Sequence, residues 1–124
     1  MTSNITPPNR EELRNKLREA GEVNIIVEGR RTGKKFSTPV WFVLDGSKVV
    51  LVPMKGSDND WFKDLEKSPH VELSAGGRTF PFEVTIIRDS NLVEKVLDKF
   101  RAKYRSMWSE SYYSKRDVCV EVSL

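Results

Sequence analysis

Four cations fall within six residues with no acid among them: Arg30, Arg31, Lys34 and Lys35. Gly29 and Gly33 frame the run, so the backbone there can turn tightly and approach a ligand closely. Arginine offers a planar fork to a phosphate or carboxylate, and lysine offers a point charge. The same run also reads as a solvated hairpin tip that discourages edge-to-edge pairing. A second cationic bend is Lys55-Gly56-Ser57, placed after one expected strand and before a short expected helix. Exposed amides at a helix start beside a lysine suit an anion, although the spacing is not that of a P-loop. An ordinary strand-to-helix turn with a serine cap fits equally. Trp61-Phe62 comes next, a pair that could stack on a planar ring or fill a core. Trp108, Tyr112 and Tyr113 form a later aromatic cluster, suited to a loop packed over a pocket or over the core.

Other chemistries are poorly served. The single histidine, His70, excludes a His-based metal cluster and any scheme needing two imidazoles. The single cysteine, Cys119, excludes an internal disulfide framework and has no partner that would activate it. No Ser-His-Asp arrangement can be built. Glu83 stands among apolar neighbours, but its alternation phase puts it with Thr85, toward solvent. An enzyme with this inventory takes its hard chemistry from a cofactor, and the protein holds an anionic tail and a flat ring.

The 124 residues make one domain, and 21 Lys plus Arg against 18 Asp plus Glu leave a charge of +3. That suits a small anionic ligand at least as well as a nucleic acid, where a larger excess is expected. The basic residues of the late helix, Lys95, Lys99, Arg101, Lys103 and Arg105, are interspersed with Glu94 and Asp98. No apolar run approaches a membrane span, and no secretory leader is visible, so a reduced cytoplasmic setting is expected.

The elements that position these residues follow from periodicity. Residues 1–21 are an N-terminal segment and helix. Asn9 and Glu12 have capping-box spacing, Leu13, Leu17 and Ala20 form a narrow apolar stripe, Glu12 stands four before Lys16, and Gly21 supplies a left-handed stop. Strands are predicted over residues 23–28, 36–44, 48–53, 70–74 and 78–87, with a short helix over 57–67. Within 36–44, Phe36, Thr38, Val40, Phe42 and Leu44 share one face, while Ser37, Pro39, Trp41 and Val43 share the other. Pro39 cannot donate to a ladder, so the sheet should be open or irregular beside it. Leu92, Val93, Val96, Leu97, Phe100 and Tyr104 form the strongest helical stripe, over residues 90–105. A final strand covers 118–124. The pattern is a single domain, mainly β with helices: a small six-stranded antiparallel barrel, closed or split.

Together these segments resemble the deazaflavin-dependent nitroreductase family, within the flavin- and deazaflavin-binding, pyridoxamine phosphate oxidase-like split β-barrels. The resemblance is carried by Gly29-Arg30-Arg31-Thr32-Gly33, Thr38-Pro39-Val40-Trp41-Phe42, Asp45-Gly46, Lys55-Gly56-Ser57, Trp61-Phe62-Lys63-Asp64-Leu65 and Pro69-His70-Val71. It implies a six-stranded split barrel of FMN-binding type, a homodimer with a groove at the interface, and an oxidoreductase. The cofactor implied is the 8-hydroxy-5-deazaflavin coenzyme (coenzyme F-420), with FMN as the alternative. Arg30, Arg31 and Thr32 would meet the phosphate-bearing tail; Thr38, Pro39, Val40 and Trp41 would line the ring. Val52, Pro53, Met54, Lys55, Gly56 and Ser57 would form the strand end and turn over the phosphate, with Trp61 and Phe62 on the aromatic helix. The chain departs from the family in carrying Phe36 where an arginine is common, and Phe62 and Asp64 in place of tyrosine and asparagine. Hydride would pass to a small enone, quinone or nitro acceptor. A binding module without turnover, holding flavin, deazaflavin or haem, is the alternative.

Overall fold

The first strand, β1 (Val23–Glu28), alternates Val23, Ile25 and Val27 into the interior with Asn24 and Glu28 outward. Its neighbours are β2 (Lys35–Val40) and β5 (His70–Ala75), both antiparallel. The remaining strands are β3 (Val43–Asp45), β4 (Lys48–Leu51), β6 (Arg78–Ile87) and β7 (Cys119–Ser123). The helices are α1 (Asn9–Glu19), α2 (Asp60–Lys67) and α3 (Ser90–Lys103), with 3-10 turns at Gly56–Asp58 and Glu110–Tyr112. This computed structural model describes residues 9–75 and 77–124.

The seven strands form one curled antiparallel sheet in the order β2-β1-β5-β6-β7-β4-β3. The two edge strands are consecutive in the chain, joined by Trp41 and Phe42 alone. Edges separated by two residues cannot be far apart, so the sheet must curl until they meet. The molecule is therefore a split barrel. The single strand expected over 36–44 is two: Val40 ends pairing with Val23, and Val43 begins pairing with Val50. The change of partner at Phe42 accounts for seven strands where six were expected. The expected alternation nevertheless persists through the break. Val40, Phe42 and Leu44 belong to the interior cluster, and Trp41 and Val43 to the cluster outside it.

β6 serves both halves. Its residues 78–83 pair with β5 and its residues 84–87 with β7. Pro81 lies in the first half, where β5 is its only partner strand, so its missing N–H disrupts no second ladder. The barrel interior is filled by Ile25, Phe42, Leu51, Phe62, Leu73 and Val120, plugged at one end by Leu13 and Leu17 of α1. A second core lies outside the β3-β4-β7 half, where Val93, Leu97 and Phe100 of α3, with Tyr104 at its C-cap, cover Val43, Val50, Val52 and Cys119. Leu92 stays exposed, so the working stripe is narrower than its sequence suggests. Asp89 caps α3 by accepting from Asn91 and Leu92 N–H.

Three expectations for α1 differ. The helix already includes Asn9, so that residue is not its outer cap; the residues before it lie outside those described. Gly21 does not adopt a positive φ, and Glu12 pairs with Arg78 at 2.6 Å. Gly21 instead offers its carbonyl to the Tyr104 hydroxyl at 2.9 Å.

Tyr104 closes the seam between the edges. Its hydroxyl accepts the Phe42 N–H at 3.0 Å and lies within donating distance of the Phe42 and Gly21 carbonyls. The Lys103 ammonium donates to the Phe42 carbonyl at 2.9 Å and lies 3.5 Å from the Phe42 ring centroid. With that carbonyl supplied by lysine, the one tyrosine proton is free for Gly21. Burial pushes the Tyr104 pKa up to about 12, so the phenol stays protonated near neutral pH. Replacing it by Phe (Y104F) strands a buried N–H and should lower stability by about 1–3 kcal/mol in urea unfolding. An unchanged midpoint would remove the hydroxyl from this closing role.

Candidate functional site

A cleft of about 520 Å³ opens between the β1–β2 hairpin and the β4–α2 turn. Its size lies within the roughly 300–1,000 Å³ of ordinary ligand pockets. It joins the two cationic bends: Arg30, Arg31 and Thr32 line one wall, Lys55 and Trp61 the other, and Thr38 of β2 contributes between them.

The hairpin loop is strongly determined. Gly29 donates to the Lys34 carbonyl at 2.7 Å, and Gly33, at φ +72°, donates back to the Gly29 carbonyl at 2.9 Å. A Cβ on Gly29 would lie 2.6 Å from the Phe36 ring, so any larger residue there would have to displace that exposed ring. Arg30 is held from four directions. Its N–H and its guanidinium reach Asp64 Oδ1 at 3.1 and 2.8 Å, its guanidinium also lies 3.5 Å from Asp60 Oδ1, and its carbonyl accepts from Lys67 at 2.9 Å. Asp64 is buried on α2, and its hydrogen bond is the main reason the Arg30 pKa is raised. Arg30 is thus committed to the protein, while Arg31 next to it is exposed.

The β4–α2 turn is equally committed. Lys55 N–H donates to Asn59 Oδ1 at 3.1 Å and Gly56 N–H to the Pro53 carbonyl at 3.0 Å. Ser57 donates its N–H to Asp117 Oδ1 at 3.0 Å and its hydroxyl to Asp117 Oδ2 at 2.6 Å. The open amides anticipated for this bend are therefore already bonded, and an internal carboxylate takes the anion position beside Ser57. Gly56 has φ +56°, and an added Cβ would meet both Asp117 and the Lys115 carbonyl. What the bend leaves available is the exposed Lys55 side chain.

Charges at the cleft divide by partner. Among the described residues, Asp64 and Asp60 pair with Arg30, and Asp58 pairs with Lys115 at 3.3 Å. The cleft cations without a carboxylate partner are Arg31 and Lys55. Two unpaired cations near a half-buried tryptophan suit an anionic tail carrying a flat ring, so the residues present fit a flavin-type group. None of the lining side chains is His, Cys, Met or Tyr, so the cleft of this chain offers no usual axial ligand for haem iron.

The other anticipated residues lie outside this lining. Phe62 is fully buried in the barrel, with the Arg88 guanidinium 5.7 Å from its ring centroid. Trp41 stacks on Tyr104 with centroids 4.1 Å apart and an interplanar angle of 5°, and meets Tyr112 edge-on. Val40 packs on the interior and Pro39 is exposed. Val52, Pro53 and Gly56 are buried, Ser57 is half-buried, and Met54 is exposed. Asp58, Asn59 and Asp60 also line the cleft; their place in Lys55–Trp61, between two candidate motifs, is the signal that marks them in the sequence. His70 is exposed at the start of β5, and Cys119 is buried with its thiol pKa pushed up to about 11 by desolvation. The described residues contain no cluster of three or more His, Cys, Asp or Glu placed to hold a metal. No described helix is long and apolar enough to cross a membrane.

The curled sheet with its outer helix is the fold of the flavin- and deazaflavin-type split barrels. An F420-H2 dependent reductase superposes with a TM-score of 0.63 at 18% identity, over 83% of this chain and 94% of that one. A structure described as a domain-swapped dimer gives 0.61 at 18% identity, over 92% and 96%. A haem storage protein from Vibrio cholerae gives 0.64 at 13% identity, over 91% and 87%. The resemblance read from the motifs therefore holds at the level of the fold. The chain itself belongs to the family described as "uncharacterized protein conserved in bacteria" (DUF2255), whose model matches residues 13–118. No curated protein matches it.

Asp117 makes the β4–α2 turn sensitive to acid. Its desolvation alone would raise its pKa, but the hydrogen bonds from Ser57 and the charge of Lys115 outweigh this and hold it below its ordinary 3.8. A carboxylate depressed by folding stabilises the native state above its unfolded pKa, and that contribution fades as pH falls through the folded one. Asp117→Asn should cost about 1 kcal/mol at pH 7, kept small by the partial exposure of the pair. The difference from the parent should shrink below about pH 4. Denaturant midpoints measured across that range provide the check, and a constant difference would disconnect the carboxylate charge from the turn.

Proposed function

We propose that this chain binds a flavin-type heterocycle, an 8-hydroxy-5-deazaflavin coenzyme (coenzyme F-420) or FMN, and acts as an oxidoreductase toward a small organic acceptor. The observation that carries this reading is the convergence of the two cationic bends on one cleft that also holds Trp61. Bends 25 residues apart in sequence, at positions 30 and 55, have no reason to share a surface unless the fold brings them there. The fold is one in which an F420-H2 dependent reductase is known.

The residues divide the work. Arg31 and Lys55 bind the anionic tail, and Thr32 adds a hydroxyl beside them. Trp61 and Thr38 border the ring. Asp64 and Lys67 hold Arg30, and so keep the loop in its binding shape before any ligand arrives; such preorganisation lowers the ordering cost of association. When bound, the reduced ring supplies a hydride to an enone, quinone or nitro acceptor. The protein's part is position and exclusion of water. The cleft is open in one chain, and the split-barrel neighbour described as a domain-swapped dimer supports a homodimer in which a second copy completes the groove. We expect the protein in the cytoplasm. The haem storage neighbour supports a second reading, a binding module without turnover. Steady-state reduction of an acceptor with regenerated coenzyme separates the two.

Arg31→Glu and Lys55→Glu should each weaken coenzyme binding about tenfold or more, as expected for loss of a charge-assisted contact worth roughly 1.5–3 kcal/mol. Fluorescence titration with FMN and with the deazaflavin coenzyme measures this. Wild-type protein that binds neither ring would refute the reading, and unaltered affinity in both variants would refute the residue assignment.

A further inference from the structure

The cleft is lined by three arginines and lysines and three aspartates, yet its charges are not equivalent. Arg30 is occupied by Asp64 and Asp60, so two cations remain for a ligand, Arg31 and Lys55. Asp64 is almost enclosed. Asp58 and Asp60 are not: their side chains are 66% and 90% exposed, and both face the same cleft. The pairs they make, to Lys115 at 3.3 Å and to Arg30 at 3.5 Å, are exposed on the aspartate side and leave much of each negative field in the solvent around the rim.

We infer that this cleft takes a cofactor whose tail ends in a compact phosphate and rejects one whose tail continues as a string of carboxylates. The inference rests on the function proposed above and narrows its cofactor. Two unpaired cations match one phosphate group, which carries one negative charge as a diester and close to two as a monoester. A longer polyanion has to extend past them, along a rim that carries Asp58 and Asp60. Like charges across such a rim repel, and the repulsion is screened by salt. An ordinary long-tail site would present further cations there. In this chain Lys35 pairs with Glu72, Lys67 donates to the Arg30 carbonyl, and neither Lys34 nor Lys63 lines the cleft.

Equilibrium binding to the full chain tests this with four probes: riboflavin, FMN, the deazaflavin coenzyme bearing its phosphodiester and no glutamate, and the same coenzyme with a long oligoglutamate tail. FMN should bind about tenfold or more tightly than riboflavin, the value of a charge-assisted phosphate contact. The long-tailed deazaflavin should bind several-fold more weakly than its glutamate-free form in dilute buffer. That gap should close in about 1 M salt, where the screening length falls to about 3 Å. It should also narrow in the Asp58→Asn/Asp60→Asn double variant, whose folding is checked by its unfolding midpoint. Equal or tighter binding of the long-tailed form overturns the inference while leaving the function standing. So does a gap indifferent to both salt and the double variant. Failure of every ring to bind overturns both.

Discussion

The backbone of Phe42 is the point on which the architecture turns. It lies between two strands that belong to opposite edges of the sheet, so neither ladder serves it. Its N–H and carbonyl are buried, and a buried unpaired peptide group is costly. Tyr104 and Lys103, both at the C-terminal end of α3, supply the missing partners. A helix 60 residues downstream therefore decides whether residues 40–43 can leave one edge and join the other. The same arrangement fixes the second core, because Trp41 can stack on Tyr104 only when Phe42 points into the barrel. Barrel closure, the placing of α3 and the burial of Trp41 are one constraint.

Closure also sets the cleft. β2 is an edge strand paired only with β1, and it is exposed along most of its length. The β1–β2 loop can therefore lean over α2, where Asp64 and Lys67 hold Arg30. Two acids then do work that the motif alone would assign to a ligand. Asp64 neutralises one arginine of the basic loop, and Asp117 occupies the serine of the second bend. Each carboxylate removes one possible anion contact and, in exchange, makes its loop rigid. The remaining cations, Arg31 and Lys55, are presented by stiff backbone, which favours selectivity over sheer attraction.

Much of this was legible in the sequence. Alternation located nearly every strand, because half-buried strands report their inner face directly in residue type, as Val23, Ile25 and Val27 do. The motif order brought Arg30, Arg31, Thr32, Thr38, Lys55 and Trp61 together as candidates, and they line one cleft. What stayed hidden depends on long-range partners. Trp61 and Phe62 are adjacent, and nothing local says which faces the cleft; consecutive helical side chains point about 100° apart, so only one can. The break at Phe42 leaves no local mark, since its alternation is unbroken and its cause lies in Tyr104. The bonding of Ser57 to Asp117 joins residues 60 apart, and no spacing rule reaches that far.

The aspartate at position 64 shows how one residue can shift a site while preserving its shape. A neutral amide there could accept from Arg30 but could not compete for its charge, leaving three cations to share a ligand's tail. A carboxylate with only 10% of its side chain exposed holds the guanidinium through a charge-assisted bond and makes Arg30 part of the scaffold. The loop gains order and the cleft loses a unit of positive field. Because Asp60 shares the same arginine from an exposed position, the rim beyond it carries negative charge into solvent. Cofactor choice in such a barrel is then governed less by the residues that touch the ring than by which of its arginines the protein has already claimed.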